Sequence, residues 1–434
     1  MKRIMKSYLA FFFISMALGC SDGGGDNNPG DGGLDAGKDD AGGDDGGSDP
    51  SDAGGGDPGG DAGEDASGSD AGNVKTVAFA TYNAGLATGF VDYADERQPA
   101  IGEGVAALEA DVVCLQEVWL PEQIEALKSA TENTFEHSYV EITQDDLDAG
   151  TGDGGLTGGA CSEEEIDTFG GCVRDHCSEV ETSELTTCAF ANCGTEFGNL
   201  SSDCVTCVAA NIGGTIDEIL ETCGSSEGGS MTYEGHNGLM LLSKHPLKAS
   251  NFFVFKSFLN RRVVLHARID TEALGAVDLF CTHLTANLSS VTYSGEYASW
   301  EDERAAQIDT MIDYIDQTKT GTNPVVLMGD MNCGPATDLV EAEFQENYTK
   351  FENGGFDAPY LDDPESTCTW CAENPLTGGG HNSIIDHVLM KDMPEDVTYT
   401  TKRLLDDPIT IESGGQTIDT RLSDHYGAVV EVTK

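Results

Sequence analysis

Short polar signatures recur at or just after the ends of apolar runs in this 434-residue chain: Thr81-Tyr82-Asn83, Gln116-Glu117, Thr282-His283, Gly329-Asp330-Met331-Asn332 and Ser423-Asp424-His425. Each is weak alone. Together with Ile385-Asp386-His387 they supply Glu117, Asp330, Asp386, Asp424, Asn83, Asn332, His283 and His425, which successive strand ends can bring to one cleft. Carboxylates and amide oxygens with few thiolates suit a hard divalent cation, Mg²⁺ first with Mn²⁺ or Ca²⁺ as substitutes, and such ions mostly serve phosphate chemistry. One imidazole can then take a proton from an attacking water, while a second donor neutralises the phosphoryl oxygens or the leaving group. The chain has no Gly-x-x-x-x-Gly-Lys-Ser/Thr loop, which argues against a nucleotide-driven kinase or ATPase.

The elements that must position these residues follow from apolar periodicity. Val74 to Tyr82 and Asp111 to Gln116 read as strands, and Arg97 to Glu109 and Pro121 to Ala130 as helices. Further strands are predicted over Gly238 to Ser243, Val263 to Ile269, Ala276 to Thr282, Val325 to Met328, Ile384 to Met390 and Ala428 to Val432. A helix from Glu301 to Gln317 should bury Ile308, Met311, Ile312 and Ile315. Strands outnumber helices, so the pattern predicts a four-layered α/β sandwich of two packed, mostly antiparallel sheets flanked by helices, rather than a doubly wound parallel sheet. The aromatic run from Asn251 to Asn260 is either a membrane-contacting edge or core packing, and strands bury aromatics routinely, which favours the core.

The chain starts with basic residues (Lys2, Arg3, Lys6), an apolar run from Tyr8 to Leu18, and Ala17-Leu18-Gly19-Cys20. A run this short cannot span roughly 30 Å of hydrocarbon, so residues 1–20 read as an export signal. Its end resembles the lipobox of bacterial lipoproteins, in which Cys20 would carry the lipid and anchor the protein to the cell envelope. An ordinary signal peptide cleaved near Gly19, giving a secreted protein, is the alternative. Residues 21–73 are almost entirely Gly, Asp, Ala, Ser and Pro, with Leu34 the one large apolar residue. They cannot bury enough surface to offset their ordering entropy and read as a disordered tether, extended by its own charge. A calcium-binding repeat would need a fixed Asp spacing, which is absent. Residues 74–434 then form one domain, interrupted by a Cys-rich insertion over 150–230, and a monomer is expected. The formal net charge is −55. Nucleic-acid binders usually carry a basic footprint, and none is visible here, so a polyanionic substrate is disfavoured.

Eight of the fourteen cysteines fall between Cys161 and Cys223, with Cys161, Cys177 and Cys193 sixteen apart, as are Cys172, Cys188 and Cys204, then Cys207 and Cys223. In an exported protein this repeat reads as up to four disulfides stapling a subdomain too poor in apolar residues to fold by core burial alone. A zinc site at Cys204-x-x-Cys207 is the rival reading. Cys368-x-x-Cys371 could be a local disulfide. Cys114 and Cys281, inside apolar strands, are expected to be buried thiols.

The order Asn, Gln-Glu, Ser-Lys-His-Pro, Thr-His, Gly-Asp-x-Asn, Ile-Asp and Ser-Asp-His resembles that of the endonuclease/exonuclease/phosphatase superfamily, which has the pancreatic deoxyribonuclease fold. The resemblance covers about residues 77 to 432 outside the insertion. Within it, Leu115-Gln116-Glu117-Val118-Trp119, Asn237-Gly238-Leu239, Ser243-Lys244-His245-Pro246 and Thr282-His283-Leu284-Thr285-Ala286 are similar to segments of the neutral sphingomyelinase branch. The resemblance implies that Glu117 binds the catalytic metal, helped by Asn83 and Asp424. His425 would be the general base, oriented by Asp386; Asp330 and Asn332 would position the water and the phosphoryl group. His283 would stabilise the transition state or protonate the leaving oxygen, and Arg304 and Gln307 look like a supporting pair. One departure is that the three tryptophans, Trp119, Trp300 and Trp370, include no clear equivalent of the Trp-bearing hairpin that some secreted sphingomyelinases use to enter membranes.

The leading expectation is hydrolysis of a phosphodiester in a phospholipid headgroup, as in a sphingomyelinase-type phospholipase C. An extracellular DNase-like nuclease of the same fold, a phosphomonoesterase and a catalytically inactive surface binding module are the alternatives.

Overall fold

The computed structural model describes residues 74–141, 160–178, 180, 182–225, 231–288, 291 and 293–434. The expected export signal, the lipid-bearing Cys20, the tether and the first residues of the expected insertion lie outside them.

Strand β1 (Thr76–Asn83) leads into helix α1 (Ala94–Ala106), β2 (Val112–Gln116), α2 (Pro121–Thr131) and β3 (His137–Tyr139). The insertion contributes α3 (Gly171–Cys177), α4 (Thr182–Phe197), α5 (Ser202–Ala210) and α6 (Ile216–Gly224). The chain continues through β4 (Met240–Ser243), β5 (Lys248–Val254), β6 (Val263–Thr271), β7 (Gly275–His283), α7 (Trp300–Thr318), β8 (Val325–Asp330) and α8 (Gln345–Asn353). It ends with β9 (Asp386–Lys391), β10 (Thr398–Leu404), the hairpin β11 (Pro408–Ser413) and β12 (Gln416–Arg421), and β13 (Gly427–Thr433).

Side chains alternate across a strand, and here both faces of the central strands are apolar. Val77 and Phe79 of β1 and Val112 and Cys114 of β2 face the opposite sheet, where they meet Leu265, Leu279, Val326 and Met328. Ala80, Tyr82, Val113 and Leu115 point the other way, onto Ile101 and Val105 of α1 and Ile124 and Leu127 of α2. Val325 and Leu327 of β8 likewise bury Ile308, Met311 and Ile315 of α7. The result is the expected four-layered sandwich: a six-stranded sheet in the order β10-β13-β1-β2-β4-β3 packed on a five-stranded one in the order β5-β6-β7-β8-β9, with helices outside both. The aromatic run from Asn251 to Asn260, which begins within β5, largely joins this packing, Phe255 being buried against the α7 side of the second sheet and Phe252 and Phe253 being partly buried.

Strand direction places the polar signatures. The pairs β1–β2 and β7–β8 are parallel, with Asn83 opposite Gln116 and His283 opposite Asp330. Strands β9 and β13 run antiparallel to β8 and β1, with Asp386 opposite Asp330 and Ala428 opposite Thr81. The last residues of four strands and the first residues of two others therefore lie at one end of the sandwich.

One expectation is corrected. Cys114 and Cys281 are not free thiols but a disulfide that joins β2 of one sheet to β7 of the other, because facing strand positions bring their Cα atoms to 5.5 Å. The insertion carries Cys161–Cys204, Cys172–Cys193, Cys177–Cys188 and Cys207–Cys223. Cys204 and Cys207 thus belong to different disulfides and offer no thiolate pair to zinc. Sulfur substitutes for hydrocarbon in this subdomain: buried half-cystines pack with Phe169, Val173, Val208, Ile219 and Leu220. Cys368 pairs with Cys371, and Cys333 is the free cysteine among the described residues. The Cys114–Cys281 bond spans 167 residues of sequence, so Cys114→Ser should lower unfolding stability by about 2–5 kcal/mol. Denaturant melting of oxidised protein checks this, and an unchanged midpoint would contradict the bond.

Candidate active site

The signatures converge. Asn83, fully buried at the end of β1, donates through Nδ2 to Glu117 Oε1 and to Asp330 Oδ2, both at 3.1 Å, and its Oδ1 accepts the Gly85 N–H at 3.0 Å. His425 stands with Nδ1 2.9 Å from Asp386 Oδ2 and Nε2 3.9 Å from Asp330 Oδ2. On the other side of Asp330, His283 Nε2 lies 3.4 Å from the same Oδ2. Asn332 donates its backbone N–H to Asp330 Oδ1 at 2.8 Å, but its side chain turns to the Leu284 carbonyl and meets none of the other seven residues. Asp424 accepts from Ser423 Oγ at 3.0 Å and reaches Glu117 through its charge.

Backbone strain marks two of these positions. Glu117 and Asn332 both adopt left-handed φ values, 57° and 49°, which for a non-glycine residue persist only where surrounding contacts fix them. Asn tolerates this region; Glu does so poorly. Gly85 (φ 56°) has a separate reason to be glycine, since a Cβ there would lie 2.4 Å from Asp424 Oδ1.

Electrostatics divide the residues. Burial, then the neighbouring Asp424 charge, pushes the Glu117 carboxyl up to about 7. Burial likewise raises Asp386 to about 6, against the pull of His425. For Asp330, burial is outweighed by the hydrogen bond and charge of His283 and by the charge of His425, and the carboxyl is held well below its ordinary range. Burial and then the Arg262 charge lower His283 to about 4, so its imidazole is neutral at pH 7. For His425 burial is overcome by the Asp386 carboxylate, and its pKa rises well above the ordinary value. Among the described residues, the Nδ1 of His283 and the Oδ1 of Asp386 are buried with no hydrogen-bond partner.

This donor set fits a hard divalent cation. It is oxygen-rich, contains no thiolate, and leaves Glu117 costly to ionise beside Asp424 unless positive charge is supplied. Asp330, Asp386 and His425 also present donor atoms within 4.8 Å of one another, but Asp386 Oδ2 and His425 Nδ1 are already committed to each other. The other cluster with ligand-like spacing, Cys368, Cys371 and Glu373, contains a disulfide.

An imidazole backed by a carboxylate and set across from acidic residues is an arrangement suited to phosphoester hydrolysis, and sequence comparison agrees. The Endonuclease/Exonuclease/phosphatase family matches residues 80–425, and the chain belongs to this family, whose members are hydrolases acting on phosphoesters. No curated protein matches the chain. Among solved structures, that of SmcL is 13% identical over 83% of this chain and 99% of its own, with a TM-score of 0.51, and shares the fold. Sphingomyelinase C from Streptomyces griseocarneus is 15% identical over 82% of this chain and 99% of its own, with a TM-score of 0.48. Truncated Caenorhabditis elegans TDP2 is 13% identical over 83% and 98%, with a TM-score of 0.45.

Further side chains support these residues, among them the Arg304 and Gln307 pair. Trp370 sets its ring edge-on to His425, 4.9 Å between centroids, and Thr369 Oγ1 accepts the Asp386 N–H at 3.2 Å. Asn374 Nδ2 donates to the carbonyls of Ser423 and Asp424. Arg262 is buried 5.8 Å from the Trp119 ring and adds positive charge near Glu117 and Asp330. Arg304 and Gln307 of α7 are buried and hold Thr285, two residues beyond His283. Arg97 is fully buried and donates to the carbonyls of Leu422 and Gly85 at 2.6 Å each, and to Asp92 at 2.9 Å. It ties the loop after β1 to the segment carrying Asp424. Arg97→Met should therefore cost roughly 3 kcal/mol by orphaning buried carbonyls. Thermal melting measures this, and a melting point equal to wild type would contradict it.

Proposed function

We propose that the chain is an exported, metal-dependent phosphodiesterase that cleaves a lipid headgroup, in its concrete form a sphingomyelinase-type phospholipase C yielding ceramide and phosphocholine. The observation that carries the hydrolytic reading is the buried Asp386–His425 pair aimed through Nε2 at Asp330, opposite Glu117. The lipid preference is supported by the segments around Gln116-Glu117, Ser243-Lys244 and Thr282-His283 that resemble the neutral sphingomyelinase branch. It is supported too by a net charge of −55, which would repel a nucleic acid.

Glu117, with Asp424 and Asn83 beside it, would hold the divalent cation, Mg²⁺ or in its place Mn²⁺ or Ca²⁺, which when bound polarises a phosphoryl oxygen and takes up negative charge. Asn83 steadies the Glu117 carboxylate through Nδ2. His425 Nε2 would accept the proton of the attacking water once bound positive charge offsets the Asp424 and Asp330 carboxylates that help raise its pKa, and Asp386 on Nδ1 fixes the tautomer and stabilises the resulting imidazolium. Asp330 and the Asn332 backbone set the position of that water and of the phosphoryl group. His283 is neutral and has a single N–H; its Nε2, 3.4 Å from Asp330 Oδ2, would turn that N–H from the carboxylate to the phosphoryl or leaving oxygen.

Export with a lipid on Cys20, or secretion, is in keeping with six disulfides among the described residues, which persist in oxidising surroundings. The test is a panel assay of residues 74–434 with Mg²⁺, Mn²⁺ or Ca²⁺ against sphingomyelin, phosphatidylcholine, DNA and a generic phosphodiester. Sphingomyelin should be preferred, and Glu117→Ala and His425→Ala should each lower turnover by about 10²–10⁴-fold. Selective DNA cleavage would sink the lipid preference; activity surviving in both variants would sink the site.

A further inference from the structure

The insertion, with Phe90 and Val291 from the rest of the domain, lines an open-sided apolar cavity of about 110 Å³. Phe169, Phe197, Val208 and Ile219 line it from the insertion, Phe190 stands at its rim, and Phe90 closes it from the loop that leaves Asn83. A cavity of about 150 Å³ lined by such side chains stays dry and takes up an apolar guest, so this one is of the size that accepts the end of a hydrocarbon chain. Phe90 and Phe190, 42% and 45% exposed, are two of only five large apolar residues left exposed among the described residues. Their side chains border the same opening, which concentrates exposed apolar surface where single scattered residues would mean nothing.

The cavity lies three aromatic contacts from the catalytic site. From His283 the ring centroids step 6.3 Å to Trp119, 4.9 Å to Tyr233 and 6.4 Å to Phe90, which lines the cavity. A lipid chain extends about 15 Å, half the roughly 30 Å hydrocarbon core of a bilayer, which is the reach of these three steps. Position is fixed as well as distance. Tyr233 Oη donates to the Thr88 carbonyl at 3.2 Å, and a Cβ on Gly89 would come within 2.5 Å of Ile212, another cavity residue. The insertion is thereby packed directly against the loop that follows Asn83.

We propose that this cavity receives the end of one long hydrocarbon chain of a lipid whose phosphodiester lies at His283 and His425. This rests on the lipid-headgroup reading of the catalytic site. The apolar insertion then acts as a subsite that selects for a tail, while the cleft at the strand ends reads the phosphodiester.

Fluorescence titration with an undecyl chain bearing a neutral dansyl group reads the cavity without engaging the catalytic residues. Ala189→Trp fills the cavity, and Phe190→Ser removes the rim at an exposed position where folding is not at stake. The chain should bind the probe saturably, long alkanols should displace it where short ones do not, and each variant should weaken binding roughly tenfold or more. No saturable binding by the unmodified chain, or full affinity in either correctly melting variant, overturns the proposal. Probe binding that both variants lose, in a chain that cleaves DNA and no lipid, upholds the cavity and overturns the headgroup reading instead.

Discussion

Four carboxylates, Glu117, Asp330, Asp386 and Asp424, are drawn to one end of the sandwich, and the rest of the structure is arranged around the cost of keeping them there. Burial alone would neutralise them, as the upward displacement of Glu117 and Asp386 shows. Each is answered differently. Asn83 spans Glu117 and Asp330 with one amide, His425 answers Asp386, and His283 answers Asp330. Arg97 and Arg262 bring positive charge close without bonding a carboxylate: Arg97 spends its donors on backbone carbonyls, and Arg262 lies by the Trp119 ring. Glu117 and Asp424 remain the least compensated pair, which is the electrostatic reason to expect a cation between the strand ends.

The sandwich supplies the rigidity this arrangement needs. Every site residue but Glu117, Asn332, Asp424 and His425 lies within a strand, and those four lie within three residues of one. The strands are fixed on both faces, by the inter-sheet core on one side and by α1, α2 and α7 on the other. The Cys114–Cys281 bond ties β2 to β7, the strands that lead to Glu117 and His283, so the two halves of the site cannot drift apart when one sheet shifts on the other. The left-handed backbone at Glu117 and Asn332, worth about 1–3 kcal/mol of strain each, is sustained by this frame.

Much of this was legible before any coordinates. Strong apolar runs such as Val325 to Met328 marked strands, and polar residues directly behind them marked the site, because a strand end is where a side chain can leave the core. Other features were hidden for identifiable reasons. Cys114 and Cys281 look like buried thiols because nothing local in a sequence says that two strands of different sheets face each other. The helices of the insertion escaped periodicity because half-cystines occupy its core positions, β10 and β12 because their exposed alternation is largely polar on both faces, and β11 because Ile409 and Ile411 alone mark its apolar face. Arg97 read as an ordinary helix residue; its role depends on a carbonyl at Leu422, 325 residues away.

The central claim is that the converging carboxylates hold a divalent cation that the hydrolysis requires. Isothermal titration of metal-stripped protein with Mg²⁺, set beside Glu117→Gln, tests it most directly. The account predicts one bound ion per chain, with affinity reduced about tenfold or more in the variant and phosphodiester hydrolysis lost with it. Equal affinity in the two proteins, or undiminished hydrolysis in the presence of a chelator, would contradict it.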